Sequence, residues 1–250
     1  PPMKLRLVTY NIHRAIGVDR RFRPERIVEI LAGHAGDIVL LQEVDEGVPR
    51  SRELDLAREL AAALGYPYFA VGHNVSLKKG RYGNATLSRL PIRRERNLDL
   101  SVGGRKRRGC QHTTLAAETP GGMVEIEAFN VHLGLSVRER RQQIGLLASS
   151  GEFAGVGQDT ACIVAGDFND WRSQLRPFFV DVLDFRCASD RRTRRGPRAI
   201  KTYPSFSPQG GLDKIFFRGA LRERAAYRCR HQASRVASDH LPLICDFELG

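Results

Sequence analysis

The sequence predicts an α/β fold of the α+β kind, one domain over residues 1–250 in which helices and strands mix from end to end. Three observations carry this. Short β-rich apolar runs recur along the chain. Amphipathic segments with apolar residues three and four apart lie between them. Hairpin turn signals join neighbouring strands. No linker and no internal repeat divides the chain.

Leu5–Tyr10 alternates and is β-rich, which predicts a strand. Pro24–Leu31 predicts a helix, with Ile27, Ile30 and Leu31 on one stripe and Pro24 in the first turn, where its missing N–H costs nothing. Asp37–Leu41 predicts a buried strand ending at Gln42-Glu43. Glu53–Leu64 predicts an amphipathic helix, with Leu54, Ala57, Leu60, Ala61 and Leu64 inward and Gly65 as its stop. Tyr66–Val71 and Asn84–Ser88 predict strands. His112–Glu118 and Val124–Val131 predict a hairpin about Thr119-Pro120-Gly121-Gly122. Val137–Phe153 predicts one helix, Thr160–Ala165 a strand, and Ser173–Phe179 a short helix. Asp184–Ala199 is polar, basic and irregular. Asp213–Phe217, Ala225–Cys229 and Leu243–Phe247 close the chain as strands.

Composition bounds the class. The chain is 42% hydrophobic and 27% charged, ordinary for a globular protein. No apolar run approaches the roughly 20 residues of a membrane span. Pro1-Pro2-Met3-Lys4-Leu5 carries no signal-peptide h-region, so the cytoplasm is the expected location, and a monomer the expected state. Five cysteines, an odd number without CxxC spacing, argue against a disulfide framework or a structural zinc site. The net charge of +12 suits a polyanionic partner, nucleic acid or an anionic lipid headgroup surface. However, 34 of the 40 basic residues are Arg, a bias that GC-rich codons also produce. Arg105–Arg108 and Arg191–Arg195 are expected in loops, and Arg138–Arg141 on a solvated helix face.

Polar residues recur where strands end: Asn11, Glu43, His132, Asp167 and Asn169, with Asp213 opening a strand and Asp239-His240 preceding one. Any one of these is an ordinary turn-former. Together they supply carboxylate, carboxamide and imidazole, and several strands can deliver them to one rim. Such groups hold a metal, activate water and stabilise an anionic oxygen, the parts needed to hydrolyse a phosphate ester.

The segments that carry these residues resemble the endonuclease/exonuclease/phosphatase superfamily, the deoxyribonuclease I-like fold. They are Thr9-Tyr10-Asn11-Ile12-His13, Leu41-Gln42-Glu43-Val44-Asp45, Gly83–Ser88, Asn130-Val131-His132-Leu133, Gly166-Asp167-Phe168-Asn169, Leu212-Asp213-Lys214-Ile215 and Ser238-Asp239-His240-Leu241-Pro242, in family order. The resemblance implies a four-layer sandwich of two mixed sheets flanked by helices, with the site at one end. It implies a hydrolase that uses Mg²⁺, with Mn²⁺ as a substitute, and a phosphate-containing substrate.

By the same resemblance Glu43 matches the principal metal ligand, Asn11 the carboxamide beside it, and Asp239 an acidic residue at or near the metal. Asp167 matches the residue that activates or orients water, and Asn169 the donor to phosphoryl oxygens. Asp213 and His240 match a carboxylate–imidazole pair, and His132 a second imidazole facing the phosphate. Asn84 is placed either in the substrate groove or in a turn. His13 is expected outside the chemistry, His34 and His73 at the surface, and His112 and His231 have no partner in the sequence. Asp45 is expected as a supporting carboxylate or a cap. Trp171 and Phe168 are expected to pack, with Tyr82 and Tyr203 as groove candidates.

The resemblance also has departures. Gly211 and Lys214 stand where abasic-site endonucleases of the superfamily carry an Arg and an aromatic, and no Lys follows Glu43. The segments Tyr10–His13 and Gln42–Asp45 look more like a bacterial branch of metal-dependent hydrolases near lipid-headgroup and small phosphoester enzymes. A nucleic-acid phosphodiesterase, a headgroup or small-ester hydrolase, and a non-catalytic anion-binding module are the three readings that follow.

Overall fold

The computed structural model describes residues 2–250. The strands are β1 Met3–Asn11, β2 Ile38–Glu46, β3 Tyr68–Ser76, β4 Arg81–Ser88, β5 Ile92–Asp99, β6 Gly109–Thr119, β7 Gly122–His132, β8 Ala161–Asp167, β9 Arg186–Cys187, β10 Asp190–Thr193, β11 Gly196–Ala199, β12 Asp213–Arg218, β13 Leu221–Arg228 and β14 Leu243–Leu249. Two six-stranded sheets form, in the orders β13-β14-β1-β2-β4-β3 and β5-β6-β7-β8-β12-β9, while β10 and β11 make a separate hairpin. The main helices are α1 Pro24–His34, α2 Leu56–Leu64 and α3 Val137–Ser149.

Three apolar clusters stack as layers. Leu7, Leu40, Ala128, Ile163, Ile215 and Phe247 fill the space between the sheets. Val8, Leu41 and Ile244 pack the first sheet on Ile27, Ile30 and Leu60 of α1 and α2. Phe129, Val164 and Phe216 pack the second sheet on Ile144 and Leu147 of α3 and on Phe179. Strands covered on both faces need apolar residues at every position, which explains the continuous runs in β1, β2 and β8. The four-layer sandwich is the expected architecture.

One topological feature positions the site. Within each sheet one central pair is parallel: β1 with β2, and β7 with β8. All other pairings are antiparallel. A parallel pair brings two carboxyl ends side by side, so each sheet offers a double terminus at the same end of the sandwich.

Local chemistry sets the helix bounds. Asp55 caps α2 by accepting from Arg58 N at 3.2 Å, and Gly65 (φ 68) closes it. Ser136 caps α3 through Glu139 N. The helix expected over Val137–Phe153 is broken at Ser150, whose backbone is extended and whose hydroxyl caps a separate turn, Gly151–Ala154. The short helix expected over Ser173–Phe179 forms later, as a π-helical turn at Phe178–Val182. Two further segments are strands, one where the sequence predicts no element and one where it predicts irregular chain. β5, with the sequence IRRERNLD, is an exposed sheet edge, where charge guards against further pairing. The basic stretch at 190–199 is the β10–β11 hairpin, not irregular chain. The Arg105–Arg108 stretch is a loop, as expected. Arg140 corrects the solvated-face expectation: it is buried, and its Nη1 donates to Leu135 O at 2.6 Å. No described helix is long and apolar enough to cross a membrane.

Candidate active site

Register alone gathers the first group. The parallel β7–β8 pair sets His132 opposite Asp167, and the antiparallel β12–β8 pair sets Asp213 opposite Asp167. Three candidate side chains therefore sit abreast on adjacent strand ends. Gly166 permits this close approach. Its φ is 144, and a Cβ there would lie 2.0 Å from Val131 O.

The first sheet meets this row from above. Asn11 Nδ2, at the end of β1, donates to Asp167 Oδ2 at 3.0 Å. The same oxygen lies 3.4 Å from His132 Nε2 and 3.6 Å from His240 Nε2. Asp167 Oδ1 accepts from Asn169 N at 2.9 Å. His240 Nδ1 is bonded to Asp213 Oδ2 at 2.9 Å, and Thr202 Oγ1 donates to that oxygen at 2.5 Å. Ser238 Oγ ties the His240 segment to Asn11 O at 2.6 Å.

Glu43 stands on a β-bulge. The β2–β4 register shifts between Leu41 and Val44, and Glu43 takes φ 56. Its neighbour Gln42 is paired with Asn11, which places Glu43 on the same rim. Glu43 Oε2 is buried and makes no hydrogen bond, though Arg14 Nη1 lies 3.2 Å away. An orphaned buried carboxylate oxygen suits a hard divalent cation, which takes oxygen ligands, and Asn11 lies in register beside it with its Oδ1 accepting from His13 N at 3.0 Å and one lone pair left. Asp239 adds a half-buried carboxylate next to His240. A second grouping also meets the distance requirement for a cation: one ligand atom each from Asp167, Asp213 and His240 lies within 4.8 Å of the others. There His240 Nδ1 is bonded to Asp213, and its Nε2, 3.6 Å from Asp167 Oδ2, is the nitrogen left for a cation.

The two imidazoles are held in opposite states. Burial opposes charge on His240, but Asp213 and Asp167 outweigh it and raise its pKa to about 10. His132 is driven well below its ordinary value, first by burial and then by Arg108, His240, Lys106 and Arg14. At neutral pH His240 is imidazolium and His132 is neutral. Burial pushes the Asp167 carboxyl up to about 6, against the opposing pull of His240.

A buried polar layer braces the rim between the sheets. Asn130 Nδ2 donates to Leu41 O and Ala85 O, each at 3.0 Å, where the bulge breaks the ladder. Asn130 Oδ1 accepts from Gln42 Nε2 at 2.8 Å. Asn84 lies in this layer too, buried, with Nδ2 donating to Asn130 O at 2.9 Å and Gly109 O at 3.3 Å.

Asn11, His132, Asp167, Asp213 and His240 are thus in contact or one bond apart. Asn169, Glu43 and Asp239 flank them, and Asn84 lies beneath. His112 has a partner after all: it bonds to Glu127, which Thr114 also reaches. His73 pairs with Glu46 at 2.5 Å and His231 with Glu29 at 3.4 Å. Asp45 takes Arg50 in two 2.8 Å bonds rather than capping a turn. Phe168 packs as expected. Trp171 packs on one side only: it is 53% exposed, its ring lying against Gly210 and edge-on to Tyr203, whose ring lies 5.0 Å from that of His240. Sequence reasoning missed Arg14 and Arg108. Arg14 adjoins a recognised segment, but nothing in its type marks it. Arg108 is the buried end of a run expected only as a loop reaching for phosphates, with Nη1 3.5 Å from His132 Nδ1.

Comparison with known proteins places these residues in context. The family model for the endonuclease/exonuclease/phosphatase family matches residues 8–240. The Escherichia coli K12 protein YbhP is 32% identical over 254 residues, covering 98% of this chain and 96% of YbhP. Among solved structures, an endonuclease/exonuclease/phosphatase from Beutenbergia cavernae superposes with a TM-score of 0.77 at 22% identity, covering 99% of this chain and 72% of that one. A mannosyl-6-phosphatase from Bacteroides thetaiotaomicron gives 0.70 at 20% identity, covering 97% and 99%. At these identities the structural likeness speaks for the fold.

Proposed function

The chain belongs to the endonuclease/exonuclease/phosphatase family, and on that premise we propose that it is a Mg²⁺-dependent hydrolase of phosphate esters, a phosphodiesterase acting on nucleic acid. The observation that carries this reading is the convergence on Asp167 Oδ2 of one carboxamide and two imidazoles from both sheets.

Asp167 aligns the attacking water and accepts its proton, a role suited to a carboxyl whose proton affinity burial has raised. His240, kept cationic by Asp213, donates to a phosphoryl oxygen as charge develops there. Asn169 uses one amide hydrogen on Leu133 O at 2.9 Å and has the other for a phosphoryl oxygen. Neutral His132 faces the phosphate from the opposite side. Glu43, Asn11 and Asp239 would hold the divalent cation, which when bound supplies Lewis-acid stabilisation of phosphoryl charge. Water oxygen bonds to phosphorus as its proton passes to Asp167, the P–O ester bond breaks, and the leaving oxygen takes a proton from solvent water and departs as the alcohol; no covalent enzyme intermediate forms.

Abasic-site specificity is disfavoured. A Cβ at Gly211 would meet Ala199 Cβ at 2.6 Å and Ile200 O at 2.8 Å, so an Arg does not fit there. Lys214 is buried, donating to Ser173 Oγ at 2.7 Å. One observation favours a second reading, small phosphate monoesters or phospholipid headgroups: Arg14, Lys106 and Arg108 all act on His132, a cationic wall that suits a dianion. A panel of oligonucleotides, headgroup diesters and sugar phosphates, run with Mg²⁺ and Mn²⁺, separates the two. Asp167→Ala serves as the blank and is expected to abolish turnover while binding remains. Turnover surviving Asp167→Ala would refute the site assignment.

A further inference from the structure

We propose that the chain carries a second phosphate-binding site, beside the catalytic rim, that holds a backbone phosphate of a single-stranded nucleic acid. Choosing nucleic acid rests on the phosphodiester reading above.

The site is a recess of about 270 Å³ lined by Ser205, Arg228, Arg230, His231, Arg235 and Leu241, among others. Register locates it. Arg228 ends β13 opposite Leu243 of β14, three residues past His240, and Leu243 is opposite Thr9 of β1, two residues before Asn11. At about 4.8 Å per strand, Arg228 lies about 10 Å from Thr9 along the active-site end of the first sheet.

Its charge is uncompensated. Arg228 Nη1 donates to Lys201 O at 2.9 Å. Burial lowers the Arg228 pKa, and Arg191, Arg230 and Arg235 lower it further. Among the described residues, none of these four guanidiniums has a carboxylate within 4.0 Å, whereas Arg6, Arg26, Arg50 and Arg176 each have one. Glu29 stands at the margin, 3.4 Å from His231. Like charges crowded without a counter-charge repel one another, and a phosphate relieves that repulsion. The surrounding backbone is already fixed. Ser205 Oγ donates to Arg235 O at 3.0 Å, and Ser234 Oγ to His231 O at 2.6 Å.

Aromatic rings connect the recess to the catalytic pocket. Tyr203 faces His240, exposed Trp171 meets Tyr203 at 5.6 Å, and Phe206, 63% exposed, lies between Ser205 and Pro208 of the recess lining. Cations interleaved with exposed rings are what unpaired bases and their phosphates require. An anionic membrane surface would also take exposed rings at its interface; what favours nucleic acid is the continuity of the rings from the recess to His240, a path along which a single strand can run.

The test uses the full chain in EDTA, so that binding is read without turnover. A labelled single-stranded oligonucleotide is titrated by anisotropy at several salt concentrations, with wild type, Arg230→Ser/Arg235→Ser, and a control that removes two exposed arginines of α3, Arg138→Ser/Arg141→Ser. Losing two phosphate contacts should reduce the slope of log affinity on log salt by about 1.4, equivalent to about 25-fold weaker binding near 0.1 M salt, with the control nearly unchanged. Three results would overturn the proposal: no binding by wild type, an unchanged slope in the recess variant, or an equal loss in the control. Loss of binding to phosphatidylglycerol vesicles without loss on the oligonucleotide would overturn the choice of partner. Absent turnover with this pattern intact would count against the hydrolase reading alone.

Discussion

Replacing Asn130 with Leu should destabilise the protein far more than one side chain of similar size suggests. The residue is fully buried, and its amide serves the carbonyls of Leu41 and Ala85 at the point where the β2–β4 ladder is interrupted. Leu fills the volume and excludes water, so both carbonyls lose their partner. Gln42 Nε2 loses an acceptor but keeps Leu40 O and Thr9 Oγ1, each at 3.2 Å. Two orphaned carbonyls at about 1–3 kcal/mol each give a loss of roughly 4 kcal/mol. For a chain of this size that lowers Tm by about 8–16 °C. Calorimetry measures the shift directly. The same variant should also loosen the bulge that carries Glu43, so its Mn²⁺ affinity should fall. A Tm within about 2 °C of wild type would refute the claim that Asn130 holds the interrupted ladder together.

Three further outcomes follow from the geometry. Glu43→Gln should weaken Mn²⁺ binding by about 10–100-fold or more in calorimetric titration; if Asp213→Asn does so instead, the cation belongs to the Asp167–Asp213–His240 cluster. His240 has a folded-state pKa of about 10 against an ordinary 6.5, so its contribution to stability is complete below pH 6.5 and is lost as pH rises through 10; Tm should fall across that window, and less steeply in Asp213→Asn. Asp55→Ala removes the α2 cap and should cost about 1 kcal/mol, seen as a Tm decrease of about 2–4 °C without change in the site.

Strand-end polar residues were legible because β1, β7 and β8 are buried on both faces, and a buried run announces its own end. That is how Asn11, His132 and Asp167 can be found from sequence. Asp213 and His240 were legible mainly through the ordered motif set. What pattern could not supply was long-range pairing. β5 has the composition of a solvated segment and is a strand only because β6 lies beside it. Ser150 interrupts a helix by an extended backbone that its neighbours do not encode. Arg14 reaches Glu43 because residues 13–15 take positive φ, a conformation no residue type there requires. Trp171 looks like a core residue by type, yet it is held at the surface by its contact with Tyr203.

The two parallel pairs make the molecule chemically lopsided. Every strand end that a parallel neighbour doubles points the same way, so the far end of the sandwich receives turns such as Thr119–Gly122 instead. That end holds none of the candidate site residues. Peptide tags, dyes or surface tethers belong there, where a graft at the 120–121 turn leaves the reactive face open to a ligand of any length.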